Sequence, residues 1–191
     1  MFNLTVIVAS TRPGRVGPSV GTWFSERARQ HGAFEVHLVD LAVINLPFLD
    51  EPEHPSLHLY SKPHTRRWSK TVSAADAFVF VMPEYNFGFS APLKNALDFL
   101  YDEWADKPVG FVSYGMTSAG LRAVQMIKQV VTTLRMMPVT DAVSIPLRQR
   151  LDAAGVLHPD DVMEASAASM LNELERLTTV FLQLRAPAEV A

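Results

Sequence analysis

The chain has 191 residues, with 17 Lys and Arg against 20 Asp and Glu, and it contains no cysteine. This length suits one domain with a substantial core, and a net charge of −3 argues against a nucleic-acid-binding protein, which usually carries a basic surface. The lack of cysteine excludes disulfides, zinc–thiolate sites, iron–sulfur clusters and cysteine nucleophiles. No signal-peptide pattern opens the chain, and no apolar run approaches the roughly 18 residues of a membrane span, so we expect a cytoplasmic protein.

Short apolar runs alternate along the chain with segments of helical periodicity. The runs predict strands over residues 3–9, 34–40, 77–82, 108–113 and, more weakly, 139–145. The periodic segments predict helices over residues 17–31, 62–75, 90–104 and 121–134, and a last helix from about 159. Four prolines between residues 46 and 63 predict a long loop. Residues 1–185 are expected to form one domain and 186–191 a frayed tail.

Five strands that alternate with helices predict a parallel α/β sheet with right-handed crossovers and helices on both faces. This number of strands suits the flavodoxin-like doubly wound order 2-1-3-4-5. Ligands in such sheets bind beyond the carboxyl ends of the strands. The loops that begin at Ser10, Pro83 and Ser113 are therefore the candidate binding loops.

The loop after the first strand, residues 10–19, has the composition of an anion site. It combines hydroxyls, glycines and the guanidinium groups of Arg12 and Arg15, and it leads into a helix N-terminus, which favours phosphate. Neither the G-x-G-x-x-G nor the G-x-x-x-x-G-K-[ST] pattern is present, so a single phosphate monoester fits better than a dinucleotide or a triphosphate. The alternative is that both arginines are solvated loop charges.

The loop after the third strand, residues 83–90, holds three aromatic residues within five positions. Aromatic side chains together with backbone N–H donors suit a flat heterocycle. We interpret Glu84 as a turn cap or the partner of an arginine rather than as a general acid. Lys94 and Asp98 are four residues apart on the next helix, and we expect them to pair.

The loop after the fourth strand, residues 113–120, is rich in glycine and hydroxyl groups and would allow close backbone approach to a ligand. His54 and His58 lie in the proline-rich loop with no third ligand nearby in the sequence. We interpret them as solvated or interface histidines, and no metal site is predicted. The G-x-S-x-G match at residues 17–21 falls within a predicted helix and not at a strand-to-helix turn, so a serine hydrolase is not indicated.

Three segments resemble the NADPH-dependent FMN reductase family. MPEYNFGFSAPLKNALDFLYDEW (residues 82–104) resembles its signature, STRPGRVGPSVGTWF (10–24) its phosphate loop, and SYGMTSAGLRAV (113–124) its third flavin loop. The resemblance implies an enzyme that binds FMN, uses NADPH or NADH as co-substrate, and passes electrons to a flavin, a quinone or a similar small molecule by a ping-pong mechanism. It also implies a homodimer, or a tetramer, with the flavin near the subunit interface.

The resemblance further implies cofactor-binding residues but no catalytic side chain, since the chemistry takes place on flavin N5. The FMN phosphate would be held by Ser10, Arg12, Val16, Gly17 and Ser19, to which the loop composition adds Arg15. The isoalloxazine would be lined by Pro83, Glu84, Tyr85 and Asn86, and its pyrimidine side by Ser113, Tyr114 and Gly115. Met116 departs from the family pattern, which often has glycine there, and its bulk would narrow the pocket or alter acceptor choice.

Two other functions stay open at this point. A flavodoxin-type electron carrier would bind the same cofactor without turnover of its own, although such carriers tend to be more acidic than a net charge of −3. A regulatory domain could keep the fold without a flavin. Flavin content and steady-state NAD(P)H oxidation would separate these possibilities.

Overall fold

The computed structural model describes residues 1–185, so the tail predicted over 186–191 lies outside the described residues. The strands are β1 (Phe2–Val8), β2 (Phe34–Asp40), β3 (Ala77–Pro83), β4 (Pro108–Gly115), β5 (Met137–Pro138) and β6 (Val143–Pro146). The helices are α1 (Gly17–His31), α2 (Leu41–Ile44), α3 (Pro63–Ser73), α4 (Ala91–Asp98), α5 (Leu121–Thr133), α6 (Leu147–Arg150) and α7 (Asp161–Arg185). In this part of the chain, no helix is both long and apolar enough to cross a membrane.

The strands form one parallel sheet in the order β2-β1-β3-β4, with β5 and β6 both paired to the far side of β4. The predicted flavodoxin-like order 2-1-3-4-5 is therefore confirmed. The carboxyl ends of β1, β3, β4 and β6 lie at one edge of the sheet, and this edge carries all three candidate binding loops.

The core consists of two apolar layers, one on each face of the sheet. Val79 and Val81 of β3 face the layer formed with α1 and α7, whereas Phe78 and Phe80 face the layer formed with α3, α4 and α5. Every residue of β3 and β4 is buried, and for β3 the wholly apolar sequence predicts this. The sheet is thus covered on both faces, and its loop-bearing edge is held by a rigid scaffold.

The prediction of a continuous outer strand over residues 139–145 is wrong in one respect. The strand is interrupted between Pro138 and Val143. The backbone N–H groups of Thr140 and Asp141 both donate to one carboxylate oxygen of Glu173 on α7, each at 3.0 Å. These donors are therefore directed to α7 rather than to β4. The strand is consequently split into β5 and β6.

The helix expected over 90–104 is shorter than its apolar pattern suggests. It ends at Asp98, and a 3₁₀ turn at Asp102–Trp104 follows. The Leu97 carbonyl near the helix end accepts from the Leu100 N–H at 3.3 Å and also from the Trp104 indole N–H at 3.1 Å. Ser90 does occupy the N-cap position, but its hydroxyl donates to the Ala9 carbonyl at 2.9 Å instead of accepting from the helix.

Several local expectations are confirmed. Helix α1 has the predicted bounds, and Gly32 ends it with a left-handed φ of 84°. Lys94 and Asp98 form the expected ion pair, with 2.6 Å between Nζ and Oδ2. His58, interpreted from the sequence as a solvated or interface residue, is half-exposed and pairs with Asp102 at 2.9 Å.

Candidate functional site

A cavity of about 410 Å³ opens at the carboxyl edge of the sheet, between the three candidate loops and α6. Its lining residues come from the first loop, the end of β3, the end of β4 and the segment after β6. They are Arg12, Arg15, Val16, Pro83, Glu84, Tyr85, Tyr114, Gly115, Met116, Leu147, Arg148 and Leu151. The topology therefore brings residues more than 130 positions apart in the sequence into one pocket.

The two arginines of the first loop have different surroundings. Arg15 forms a two-pronged ion pair with Asp40, at 2.9 and 2.7 Å, and also donates to the Ser10 carbonyl at 3.0 Å. Arg12 is exposed, and its single hydrogen bond in the described chain goes to the adjacent Pro13 carbonyl at 3.2 Å. Arg15 thus fixes the shape of the loop, while Arg12 keeps most of its donors available for a ligand.

Two hydroxyl groups lie buried at the start of α1 without a hydrogen-bond partner among residues 1–185. They belong to Ser10 and Tyr114, and both lie beside Gly17. A Cβ on Gly17 would approach the Ser10 hydroxyl to 2.3 Å and the Tyr114 hydroxyl to 2.9 Å. Burial raises the pKa of Tyr114 to about 12, and the adjacent Ser10 hydroxyl only partly offsets this, so the Tyr114 hydroxyl stays protonated and can donate. Buried hydroxyls normally have partners, so this pair points to a missing acceptor.

Helix α1 itself adds to this anion-binding character. It begins after Val16 with no side-chain cap and with no acidic residue in its first turn. The partial positive charge of the helix start is therefore not neutralised by the protein. By contrast, the Asp40 carboxylate caps α2 through the Ala42 N–H at 2.9 Å.

The second loop forms a tight two-residue hairpin. Tyr85 and Gly88 exchange both backbone hydrogen bonds at 2.9 Å, and Asn86 and Phe87 between them have φ values of 49° and 74°. Positive φ at both central residues defines a type I′ turn, in which a bulky residue such as Phe87 is strained. The Arg122 guanidinium stacks 3.9 Å from the Phe87 ring centroid and supports this conformation.

Glu84 joins the second and third loops to the start of α5. Its carboxylate accepts from the Ser118 hydroxyl, from the Arg122 backbone N–H at 3.1 Å and from the Arg122 guanidinium at 3.1 Å. Burial raises the pKa of Glu84, but hydrogen bonds from Ser118, Arg122 and the Ala123 N–H outweigh it and lower the pKa below its usual value. Glu84 is thus an ionised cap and ion-pair partner, as interpreted from the sequence, and it is unsuited to act as a general acid.

The third loop is held closely against the sheet. The Ser113 hydroxyl donates to the Ala119 carbonyl at 3.0 Å, and the Glu84 N–H donates to the Tyr114 carbonyl at 2.9 Å. Gly120 has a φ of 88°, and a Cβ there would lie 2.5 Å from the Ser113 Cβ. Only glycine fits at this close approach. Met116 is exposed and is one of the residues that line the cavity.

The structure brings eight of the thirteen predicted site residues to the cavity wall. The other five do not line it; they are Ser10, Gly17, Ser19, Asn86 and Ser113. Ser10 and Gly17 lie just behind the wall at the start of α1, and Ser113 supports the third loop from below. Ser19 is exposed on α1 and Asn86 is exposed at the hairpin tip.

Sequence reasoning missed the wall contributed by α6. Leu147, Arg148 and Leu151 line the cavity, yet they follow the weakest predicted strand and belong to no recognisable motif. The topology could have predicted this wall, since the segment after the last parallel strand also begins at the carboxyl edge of the sheet.

Comparisons with known proteins point to one family. The pattern of the NADPH-dependent FMN reductase family matches residues 2–149. An NAD(P)H-dependent FMN reductase of Schizosaccharomyces pombe is 37% identical over 185 residues, which cover 95% of this chain and 89% of the relative. An NAD(P)H-dependent FMN reductase of Saccharomyces cerevisiae is 34% identical over 154 residues, which cover 74% and 80% of the two chains.

The solved structures show the same fold. FerB, a flavoenzyme NAD(P)H:(acceptor) oxidoreductase of Paracoccus denitrificans, superposes with a TM-score of 0.72 at 19% identity, covering 92% of this chain and 98% of FerB. A Streptococcus pneumoniae flavodoxin superposes with a TM-score of 0.56 at 13% identity, over 91% and 98%. The same fold thus occurs in a flavoenzyme and in a flavodoxin, whereas the relatives closer in sequence are named as reductases. From its family pattern and these relatives, the chain belongs to the NADPH-dependent FMN reductase family.

Proposed function

We propose that this protein holds FMN at the carboxyl edge of its sheet and passes electrons from NAD(P)H to a flavin, a quinone or a similar small molecule. The observation that carries the proposal is the pair of unpartnered hydroxyls, Ser10 and Tyr114, at the uncapped start of α1. A phosphate monoester supplies the acceptor oxygens that these donors lack. The residues present therefore fit the FMN phosphate.

Each of the three loops would contact a different part of the cofactor. The phosphate would lie against the first loop, where Arg12 adds a charge-assisted hydrogen bond. The ring system would lie along Pro83–Asn86 and against Tyr114–Gly115, where apolar surface and backbone N–H groups meet. When bound, FMN supplies the hydride acceptor and the route by which electrons leave.

The side chains of the site would bind and orient rather than exchange protons. Glu84, the acidic residue of the cavity wall, stays ionised and engaged with Arg122. Arg15 is likewise engaged with Asp40. We therefore assign no side chain of the cavity as a general acid or base.

We further propose a ping-pong mechanism, in which donor and acceptor use one binding surface in turn. Met116 and Arg148 are exposed residues of the cavity lining, as are Arg12 and Tyr85. Donor and acceptor would both reach the ring system past these exposed residues, one at a time. Parallel lines in double-reciprocal plots are expected when both substrates are varied, and intersecting lines would contradict this mechanism.

The proposed function is tested by purifying the protein and recording its absorbance spectrum. We expect a yellow protein, or one that binds added FMN and then oxidises NAD(P)H with a quinone as acceptor. A carrier would bind FMN without steady-state turnover. A protein that neither contains nor binds FMN would contradict the proposal.

We also propose a homodimer, with the flavin near the interface. An exposed apolar surface supports it: Val43 is 79% exposed and Phe48 is 86% exposed. Phe48 lines a groove of about 390 Å³ whose wall also includes Leu46, Pro92 and Thr11 of the first loop. Exposed apolar patches of this kind often mark interaction surfaces.

Two broader expectations remain proposals. We propose that residues 1–185 fold as one domain, since the two apolar layers share the same central strands. A single cooperative unfolding transition, with coincident fluorescence and circular dichroism curves, is the expected result. We propose a cytoplasmic location, which fractionation of the native cells would test.

A further inference from the structure

The second loop keeps a strained backbone conformation that burial of its own side chains does not explain. Phe87 has a φ of 74°, a left-handed value that favours glycine, and the dipeptide that adopts this turn readily is Asn-Gly. The Phe87 side chain is 63% exposed and belongs to neither apolar layer of the core. Bulky residues keep such a conformation only where neighbouring groups hold it. The support must therefore come from outside the hairpin.

This support comes from Arg122, which contacts both ends of the segment from Glu84 to Phe87. At one end, its guanidinium and its backbone N–H donate to the two carboxylate oxygens of Glu84, each at 3.1 Å. At the other end, the same guanidinium lies 3.9 Å from the centroid of the Phe87 ring. Arg122 belongs to the first turn of α5, so a regular helix carries the group that makes both contacts. One side chain thus holds the two residues that flank Tyr85 and Asn86.

The ion pair fixes the guanidinium in this position. The Glu84 side chain is only 9% exposed, and its carboxylate also accepts from the Ser118 hydroxyl. A partly buried pair of this kind is screened less than an ion pair on the open surface. The guanidinium that it fixes stays over the Phe87 ring, where a cation and an aromatic face attract each other.

Arg122 acts on the cavity through the loop and not through direct contact. Of these residues, Glu84 and Tyr85 line the cavity, whereas Arg122 and Phe87 are not part of its lining in the described chain. We infer that Arg122 is a positioning residue, which holds the strained hairpin so that Tyr85 and Asn86 lie against the ring system of the bound flavin. This inference rests on the proposed function, because it requires a flavin in this cavity.

The test measures the Kd for FMN and the visible absorption band of bound FMN at saturation, for the native chain, Arg122→Gln and Arg122→Lys. Arg122→Gln should raise the Kd about 10-fold and shift the band, because the loop beside the ring system changes its position. Arg122→Lys should give an intermediate Kd, since lysine keeps the charge but not the planar fork. Loss of stability alone would leave the band of the bound flavin in place.

Two other arginines supply the comparisons. Arg12→Ala should raise the Kd without shifting the band, because the phosphate lies apart from the ring system that absorbs. Arg176→Gln is the matched control, since it removes the same charge from an exposed position on α7, and it should change neither quantity.

Substitutions at Phe87 test the route by which Arg122 acts. Phe87→Gly and Phe87→Ala both remove the ring, but only glycine adopts the positive φ without strain, so Phe87→Ala should weaken FMN binding more than Phe87→Gly. In the Phe87→Gly background, Arg122→Gln should raise the Kd by about 3-fold or less, because the hairpin no longer needs the cation–π contact. An equal cost of Arg122→Gln in both backgrounds would overturn the inference.

The remaining outcomes separate this inference from the proposed function. A native Kd in Arg122→Gln, or a raised Kd with an unshifted band, would overturn the inference and leave the proposed function standing. If the native protein binds no FMN, the proposed function itself fails. If Arg122→Gln does not fold, the comparison of Phe87→Ala with Phe87→Gly decides, since both keep the pair of Arg122 with Glu84, and equal Kd values would overturn the inference.

Discussion

Arg12 and Arg15 illustrate how two similar residues in one loop acquire different tasks. Arg15 is held by Asp40, 25 positions away in the sequence, and Arg12 is exposed to ligand and solvent. We predict that Arg12→Ala raises the Kd for FMN about 10-fold, which corresponds to about 1.4 kcal/mol for a lost charge-assisted hydrogen bond. Titration of FMN fluorescence measures this change, and Arg176→Ala serves as the control. An unchanged Kd would show that Arg12 does not contact the phosphate.

Gly17 is a second residue whose identity the site requires. A Cβ there would lie 2.9 Å from the Val8 side chain and 2.3 Å from the Ser10 hydroxyl. We predict that Gly17→Ala lowers the free energy of unfolding by about 1–3 kcal/mol through overpacking and also weakens FMN binding. Urea denaturation and FMN titration measure the two effects.

Gly14→Ala is the comparison for this substitution. Gly14 has a positive φ of 69°, but no atom lies within 4 Å of its added Cβ. Its replacement should cost about 1 kcal/mol from backbone strain alone. Equal FMN affinity in native protein and Gly17→Ala would contradict the placement of the phosphate beside Gly17.

For single residues, the sequence identifies candidate site residues better than it predicts which side chains they contact. The arginines, glycines and hydroxyls of the first loop could be recognised from composition and position. The Arg15–Asp40 pair could not, because the two residues meet only when β1 and β2 lie side by side. The same holds for Glu84 of the second loop and Arg122 at the start of α5, which are 38 positions apart.

Among the elements, the outer strand shows how one side chain can alter a regular pattern. Glu173 accepts from the backbone N–H groups of Thr140 and Asp141 and thereby holds the chain between β5 and β6 against α7. We predict that Glu173→Ala destabilises the protein by about 1–3 kcal/mol, because two hydrogen bonds to a charged acceptor are lost. Hydrogen exchange at residues 140 and 141 should accelerate more than exchange in the central strands.

Exchange protection at the two amides provides the decisive comparison. Glu26 is exposed on α1, so Glu26→Ala removes an equal charge as a control and should leave the exchange rates unchanged. Unchanged protection of both amides in Glu173→Ala would contradict this assignment. It would mean that hydrogen bonds to β4, and not the contact with α7, protect them from exchange.

The limits of element prediction follow from the same contacts. Apolar runs and helical spacing located the inner strands and the long helices, because these elements are determined by which side chains must be buried. The ends of α4 and the split of the outer strand depend on individual acceptors such as Leu97 and Glu173, which periodicity does not reveal. The hairpin at Asn86–Phe87 was also unforeseen, since type I′ turns favour Asn-Gly.

Across the whole molecule, Lys107 links stability to pH. It is buried at the start of β4 and donates to the carbonyls of Val72 and Ser73 at 2.9 and 3.2 Å. Burial and, secondly, the charge of Arg185 lower the pKa of Lys107 from 10.5 to about 8. Between these values the unfolded chain binds a proton that the folded chain does not, so stability should rise with pH from about 8 towards 10.5.

The size of this rise is up to about 3 kcal/mol, from the free energy of a pKa difference of roughly two units. Urea denaturation at pH 8, 9 and 10 measures it, and Lys107→Met should flatten the dependence. Burial and Glu103 raise the pKa of Tyr60 above its ordinary value of 10.0. Above pH 10 the folded chain therefore keeps a proton that the unfolded chain loses, which lowers stability as the pH rises. The measurement stops at pH 10 for this reason. Equal slopes for the native protein and Lys107→Met would contradict the assignment.

The assembly prediction concerns the apolar surface beside the phosphate loop. Phe48→Glu should convert the proposed dimer to a monomer in light scattering, because a charge in an apolar contact is costly to bury. FMN binding should weaken several-fold in the monomer, since Thr11 lines the same groove. Val162→Glu, an exposed position on α7, is the control. A verified monomer with native FMN affinity would separate the site from the interface.

The doubly wound topology was predictable because alternating strands and helices leave few ways to cover both faces of a sheet. The cavity was predictable only as the meeting point of three loops. Its fourth wall, α6, follows the strand that the sequence marks most weakly, so the residues that complete the pocket depend on where β6 ends.

The hydrogen bonds that Arg15 makes to Ser10 and Asp40 have a kinetic consequence. Arg15 ties the Ser10 carbonyl to Asp40, and Asp40 in turn caps α2, so the backbone of the phosphate loop is anchored at two points before any ligand arrives. A preorganised loop avoids the entropic penalty of ordering during association. Cofactor capture should therefore proceed as a single concentration-dependent phase, at a rate set by encounter and not by a rearrangement of the loop.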